Sequence, residues 1–499
     1  MSYSRPGVYI SERLLAAPVA QGAGSEAAGA VVAPFAQGPE TVTLVQSWYE
    51  FTKYFGGYNA AFPATFQVAA FFTNGGKELY VKRLLHSDAA AASVADGIVT
   101  SADALVADVT AKNKGADGNN LRVKLDQGTV GGTWTLSVYK ESGIANNISD
   151  DILLEKYENI VFNDPTSSDF AETVINLVSS YITVSNSHSG TPVAAVYPLT
   201  GGANGTTPTS SDYTSGDSVF AEFSTINRPL VVFLPAVAGM TNDTDIWDAA
   251  NAWAEDNNGF VIVETPADFI YSDAIEYAAS LVDTSHAAVY YPHTFIADPI
   301  GRGNGALRKV GPSGAVAGLF LYTDSRAGGG PFKAPAGLAA QIRGVVALER
   351  SFTSSQLDEM NSSTSPVNPI RQVPGSGSVV MGARTLLQDG TANKYVNMRR
   401  SLIYINSKLK SLTEFALFEN NDERLWAQIR TSLTVFLNEY RNQGGLRGAT
   451  QSQSFFIKVD GENNTAQSIA NGEVHIQVGV ALEYPAEFIV IDLSQKSIN

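Results

Sequence analysis

Pro229-Leu-Val-Val-Phe-Leu234, Phe260-Val-Ile-Val263 and Ala287-Ala-Val-Tyr-Tyr291 decide the fold. Each run is apolar at nearly every position and does not alternate, which is how a strand reads when both of its faces are covered. Helical stretches separate them, Thr244 to Asp256 and Tyr271 to Val282. Strand, helix, strand, helix, strand is the rhythm of an α/β layer. Upstream, the same layer begins with a strand expected at Gly29 to Phe35. Ser47 is placed to cap a helix carrying Trp48, Phe51, Tyr54 and Phe55, which Gly56-Gly57 ends. A second helix is expected from Pro63 to Asn74, closed by Gly75-Gly76 before a strand from Glu78 to Leu84.

From residue 88 to 222 the texture changes to Ala, Asp, Ser and Thr, with short strand candidates at Leu121 to Leu125 and Thr133 to Tyr139. This reads as a β-rich domain inserted into the core. Its exit, Ser185 to Ser218, is rich in Gly, Ser, Thr and Pro, lacks a period, and is expected to be a surface connection. Downstream, Met398, Leu402, Ile405, Leu409 and Leu412 recur at helical spacing, with Arg399, Arg400, Lys408 and Lys410 on the rest of the circumference. The pattern predicts an amphipathic helix with a basic outer face. A second helix follows from Asp422, with Trp426, Ile429, Leu433, Phe436 and Tyr440 inward and Gly444-Gly445 as its stop. Strands are expected at Ser454 to Val459 and over the alternation Val474, Ile476, Val478, Val480, Leu482.

Both ends read as arms. Val8 and Ile10 alternate with Tyr9 in a lone strand, separated from the body by the Ala/Gly/Pro-rich stretch 16–28. At the other end Phe488, Ile489, Val490 and Ile491 form a run apolar on both faces, which should be covered. The expected fold class is therefore α/β and α+β multidomain. An N-terminal arm (1–27), an α/β core (28–87 plus 223–365), the inserted domain (88–222), a C-terminal α+β domain (366–484) and a C-terminal arm (485–499) divide the chain.

The chain of 499 residues is long enough for several cores without covalent staples. It has no cysteine, which removes disulfides, thiolate metal sites and a cysteine nucleophile. No eighteen apolar residues run together, so a soluble protein without membrane insertion is expected. With 49 acidic against 33 basic residues, the net charge of -16 argues against direct binding of nucleic acid. The charge is uneven: 88–222 holds 17 acids and 6 bases, a net of -11, whereas 384–447 holds 10 bases and 6 acids, a net of +4. Ordinary solvated surfaces account for this as well as complementary contacts do.

Chemistry finds no foothold. The five histidines are dispersed, and His286 and His293, the closest pair, are separated by a strand and Pro292. Gly301 to Gly305, Gly328 to Gly330 and Gly375 to Gly377 lack the order that cradles phosphate, and no nucleophile elbow is present. Neither catalytic residues nor a metal or other cofactor are expected. An α/β enzyme with a regulatory insertion, and a tube or baseplate component, are the competing readings.

A set of phrases in fixed order carries a resemblance. They are Arg5-Pro-Gly-Val-Tyr9, Tyr54-Phe-Gly-Gly57, Phe71-Phe-Thr-Asn-Gly-Gly76, Tyr80-Val-Lys-Arg83 and Leu199-Thr-Gly-Gly-Ala-Asn-Gly205. The second half adds Pro312-Ser-Gly-Ala-Val-Ala-Gly318, Lys333-Ala-Pro-Ala-Gly337, Asn368-Pro-Ile-Arg371, Gly382-Ala-Arg-Thr385, Gly444-Gly-Leu-Arg-Gly448 and Pro485-Ala-Glu-Phe-Ile489. By these the chain resembles the contractile tail sheath family of bacteriophages and related injection systems. Met381, where the family often has tryptophan, and Ser365-Pro366, in place of a usual glycine, depart from it.

The resemblance implies a structural subunit of a virion tail, assembled in the host cytoplasm as stacked hexameric rings. Its implied partners are itself, the tail tube protein, and baseplate and tail terminator proteins. The insertion would lie outward and the C-terminal domain inward, with Arg399, Arg400, Lys408 and Lys410 as candidate tube-facing cations. The arms would add strands to neighbouring subunits through Val8, Tyr9, Ile10, Phe488, Ile489, Val490 and Ile491; folding back on their own domain is the alternative.

Overall fold

The computed structural model describes residues 27–141, 148–186, 190–214, 219–235, 244–301, 305–326, 328–362, 364–387 and 391–487. Val8, Tyr9, Ile10 and Phe488 to Ile491, expected to form inter-subunit strands, lie outside the described residues. The core is an eight-stranded sheet whose strands, in chain order, are β1 (Ala28–Ala33), β2 (Thr43–Val45), β3 (Leu79–Arg83), β4 (Leu230–Phe233), β5 (Phe260–Glu264), β6 (Ala287–Tyr291), β7 (Val367–Val373) and β8 (Gly377–Val380). Their order across the sheet is β8-β7-β6-β5-β4-β1-β3-β2. All neighbours from β7 to β3 are parallel, and antiparallel β2 and β8 close the two edges.

Helices cover both faces, which explains why β4, β5 and β6 are buried at every residue. The principal helices outside the insertion are α1 (Trp48–Phe55), α2 (Ala64–Thr73), α3 (Thr244–Asp256), α4 (Tyr271–Ser280), α5 (Ser313–Ser325), α6 (Ser354–Ser362), α7 (Val396–Thr413) and α8 (Glu423–Asn442). One layer packs Phe51, Phe71 and Phe320 of α1, α2 and α5 on Val31, Phe233 and Ile262. The opposite layer packs Trp247, Tyr277 and Met360 of α3, α4 and α6 on Val32, Val232 and Val289. Ser47 caps α1 as expected, its hydroxyl accepting from the Glu50 amide at 3.1 Å. α5 is buried nearly all round and crosses α2 at close range. A Cβ on Gly314 or Gly318 would lie 2.3 Å from the Gln67 carbonyl oxygen or 2.2 Å from that of Phe71, so the Pro312–Gly318 phrase is a packing requirement.

The insertion builds a sheet of its own from Ser93–Val94, Ile98–Val99, Leu105–Ala111, Leu121–Gln127, Trp134–Lys140, Ile152–Ile160, Ile182–Asn186 and Ala195–Thr200. Its core includes Val109, Val123, Leu136 and Ile175, the last from the helix Ala171–Val178. The surface connection expected at Ser185 to Ser218 is a correction. Ile182–Asn186 pairs with Leu105–Ala111, and Ala195–Thr200 is an interior strand. Pro198 disguised it, and the chain changes partner there, from Leu121–Gln127 to Ser93–Val94. Beyond it Tyr213, Phe220 and Phe223 are buried with Trp253 of α3.

A second correction concerns the boundary expected between 365 and 366. Val367 to Pro369 pair with Val289 to Tyr291, so the core sheet continues through β7 and β8 before the C-terminal unit begins. That unit packs α7 and α8 on a two-stranded sheet, Phe455–Lys458 with Gln477–Val480. Asp422 caps α8 through the Leu425 amide at 2.9 Å. Of the expected alternation from Val474 to Leu482, only Gln477–Val480 is strand, and Leu482 makes an isolated bridge to Leu446. Among the described residues no helix is long and apolar enough to cross a membrane.

Candidate assembly surfaces

The crevice where an α/β sheet usually holds its ligand lies beyond the C-terminal ends of the strands, where the chain order reverses. Here that point is beside β1, whose neighbours are β3 and β4. It is taken up by the root of the insertion. Arg83, the last residue of β3 and 1% exposed, donates to the carbonyl oxygens of Phe35 (3.0 Å), Gly38 (2.8 Å), Ala36 (3.3 Å) and Lys114 (2.7 Å). The first three belong to the core and the fourth to the insertion. Burial lowers the Arg83 pKa to about 10, still well above neutrality, so the guanidinium stays charged. The returning strand is tied to the same place. Asn119 exchanges two hydrogen bonds with Gly202, at 2.9 and 2.8 Å, and Asn204 accepts from the Ala116 amide at 2.9 Å. The phrases ending at Arg83 and running through Gly201 to Gly205 are thus the two halves of one joint.

No catalytic constellation emerges among the described residues. His286 and His293 each bond a backbone carbonyl, of Gly259 (2.8 Å) and Thr265 (2.7 Å). Burial holds the His286 ring below its ordinary pKa. Among the described residues no group of three or more His, Cys, Asp or Glu is placed to hold a metal.

The helix expected to show a basic outer face behaves otherwise in its first half, and this is a further correction. Arg400 is buried: its guanidinium makes two hydrogen bonds to Asp324 of α5, at 3.0 and 2.5 Å, and sits 4.6 Å from the Phe320 ring centroid. Arg399 is half-buried and donates to Ser285 at 2.6 Å, and desolvation lowers its pKa. Lys408 is half-buried, with its ammonium 6.0 Å from the Tyr404 ring; Lys410 is exposed. The periodicity located one apolar stripe, but α7 is wedged between core and C-terminal unit and buries Asn397, Ser401 and Ile403 as well. Asn397 bonds the carbonyls of Phe332 (3.1 Å) and Glu483 (3.2 Å), and Tyr440 donates to Ser401 at 3.1 Å. A helical wheel cannot distinguish a cation facing water from one facing a distant buried carboxylate.

The C-terminal segment leaves from a pinned point. Arg384 holds the Glu487 carboxylate through Nε and Nη2, at 3.2 and 2.6 Å, and donates from Nη1 to the Asn361 carbonyl at 3.0 Å. The hydrogen bond to Glu487 raises the Arg384 pKa further. Asn368 positions Arg384 in turn: its side-chain oxygen accepts from the Arg384 amide (2.7 Å) and its NH2 donates to the Val289 and Arg384 carbonyls (3.0 and 2.8 Å). Gly382 is required beside it, since a Cβ there would lie 2.7 Å from the Asn368 side-chain oxygen. Nearby in sequence, Phe455–Lys458 and Gln477–Val480 pair only with each other among the described residues, leaving an outer edge on each. Phe456 is 54% exposed and lies across Gly479, where a Cβ would come within 2.1 Å of its ring.

Comparison with known proteins agrees with this architecture. Residues 388–496 match the family model described as Phage tail sheath C-terminal domain. The tail sheath protein of Vibrio phage KVP40 is 26% identical over 193 residues, which are 38% of this chain and 27% of that protein. The match thus spans about a quarter of the length of that relative. The sheath tail protein of Listeria innocua superimposes with a TM-score of 0.64 at 14% identity, covering 93% of this chain and 96% of that one. The helical sheath of the anti-feeding prophage in its contracted state gives 0.59 at 20% identity, over 99% of this chain and 100% of that one. Residues 388–496 are therefore similar to the phage tail sheath C-terminal domain, and the chain shares the fold of these sheath structures along almost its whole length.

Proposed function

We propose that the chain is the subunit of a contractile tail sheath in a virion tail or a related injection system. It polymerises as stacked hexameric rings around a tail tube, with baseplate and terminator proteins at the two ends. Contraction is subunit rotation and radial expansion that drives the tube through the target envelope. In this reading the insertion faces outward, the C-terminal unit faces the tube, and the terminal arms stay linked to neighbours by strand addition.

The observation that carries the reading is a two-stranded sheet whose strands pair only with each other among the described residues, on a chain whose apolar terminal run starts one residue beyond the pinned Glu487. An edge of this kind invites a further strand. Burial of Phe488, Ile489, Val490 and Ile491 at about 1.5–3 kcal/mol each contributes about 6–12 kcal/mol before ordering costs. That is comparable to the stability of a whole domain, about 5–15 kcal/mol. The arms then outlast the polar contacts between bodies, so that bodies slide while the lattice stays whole. Negative-stain microscopy of the purified chain and of a chain lacking 486–499 tests this. Cylinders of cogwheel cross-section from the full chain, lost on truncation, are expected; normal cylinders from the truncated chain would end the arm hypothesis.

A further inference from the structure

We propose that two features at opposite ends of the core strands are the halves of one contact between copies: the loop 414–418 of one chain seats in a groove formed by residues 346–352 and 370–372 of the next. The proposal rests on the self-assembling reading above and names one of its contacts.

The loop joins α7 to α8. In it Phe415 is 47%, Leu417 68% and Phe418 107% exposed. Phe418 stands at φ 67, a left-handed backbone that a bulky residue adopts at a cost. Three large apolar side chains together in water, the last presented by an unfavourable backbone, have no role in an isolated chain. Aromatic residues of this kind anchor interfaces. The stretch from the loop to the start of α8 is also negative: residues 414–423 hold Glu414, Glu419, Asp422 and Glu423 and no base.

The groove measures about 470 Å3, within the range of about 300–1,000 Å3 usual for binding clefts. Val346, Leu348 and Phe352 make its apolar lining, with Arg350 and Arg371 beside them. The carboxylate in its lining, Glu349, is ion-paired with Lys309 at 3.0 Å. A partly apolar groove flanked by Arg371 and by Arg350, which donates to the Asp268 carbonyl at 3.1 Å, thus complements an apolar knob flanked by carboxylates.

The two cannot meet within one chain. Glu414 accepts from Asn227 at 3.5 Å, just before β4 begins, so the loop lies at the edge where the parallel strands start. Ile370 to Gln372 lie beyond the Val367 to Pro369 segment that pairs with the last residues of β6, at the edge where the strands end. A contact between unlike patches on identical chains is heterologous, and repetition along an axis gives a ring or a helical filament. The occupant of the groove is therefore a second copy of this chain.

The absence of cysteine from the sequence makes a direct test available. Leu417→Cys and Ser351→Cys each place a thiol on an exposed residue, one on the knob and one on the groove. Mixed under polymerising conditions and oxidised, the two variants are expected to give disulfide dimers holding one of each, whereas each variant alone gives only traces. The double variant should give a ladder of covalent oligomers. Separately, Glu414→Lys with Glu419→Lys, and Arg350→Glu with Arg371→Glu, should each raise the concentration needed for polymerisation at least tenfold, and the combination should bring it back. A parent that polymerises while the mixture fails to cross-link, or while both charge variants assemble like the parent, overturns the contact. A parent that never polymerises instead refutes the sheath reading, and the contact with it.

Discussion

Arg400 and Asp324, from helices in different parts of the chain, form a bidentate ion pair whose side chains are 4% and 1% exposed. It fastens the C-terminal unit to the core at a place where water does not screen either charge.

Truncating one member strands the other. Asp324→Ala or Arg400→Ala is expected to cost about 3–5 kcal/mol in denaturant unfolding, because a buried charge loses its partner. Replacing both by apolar residues, Arg400→Met with Asp324→Leu, is expected to be far milder than either single change. If the double variant is as unstable as the singles, the pair is more than a matched desolvation.

Arg83→Met removes four hydrogen bonds and leaves the carbonyls of Phe35, Ala36, Gly38 and Lys114 without their donor. A loss of at least about 2 kcal/mol is expected, since a buried acceptor left bare costs about 1–3 kcal/mol. Because the joint spans core and insertion, limited proteolysis should shift first to residues near 84–92 and 200–206. Hydrogen exchange that rises evenly over the whole chain would contradict that local role.

His86 and Asp212 sit 2.8 Å apart where the insertion leaves the core and where its return segment packs back. The hydrogen bond to Asp212 raises the His86 pKa above 6.5. Burial works against ionisation of Asp212, but bonds from His86 and Thr209 hold its pKa below 3.8 overall. The histidine contribution is therefore full below its unfolded value and disappears as pH rises through the raised folded one; that of the aspartate disappears as pH falls through its lowered one. Protection of the amides at 86–90 and 210–214, the ratio of intrinsic to observed exchange rate, should be greater at pH 5.5 than at pH 8.5, and His86→Ala should abolish that difference in protection. Equal protection at the two pH values in the parent would remove this latch.

Gly318→Ala places a methyl group 2.2 Å from the Phe71 carbonyl oxygen, and α5 can accept it only by moving off α2. A destabilisation of about 1–3 kcal/mol is expected in thermal or denaturant melts. Gly57→Ala, with open space around the added atom, serves as the neutral comparison.

Much of the core was legible in the sequence because its signals are local. Continuous apolar runs marked β4 to β6, and Ser47 and Asp422 marked helix starts by their own chemistry. The features that stayed hidden depend on distant partners. Ala195–Thr200 carries Pro198 and little apolar alternation, and only its neighbours make it a strand. The basic side of α7 looked solvated because nothing near Arg400 in sequence announces Asp324. The ordered phrases did identify positions that matter, without giving reasons; the structure supplies them in Arg83, Gly202, Gly314, Asn368 and Arg384.

The clasp between Arg384 and Glu487 also sets a route for tension. A pull on residue 488 is delivered within one residue to a guanidinium that is anchored at Asn361 and, through Asn368, at Val289 of β6. The load enters the parallel sheet through β7 and β6 and is spread sideways over strands that must be sheared together, so no single loop of the C-terminal unit has to bear it.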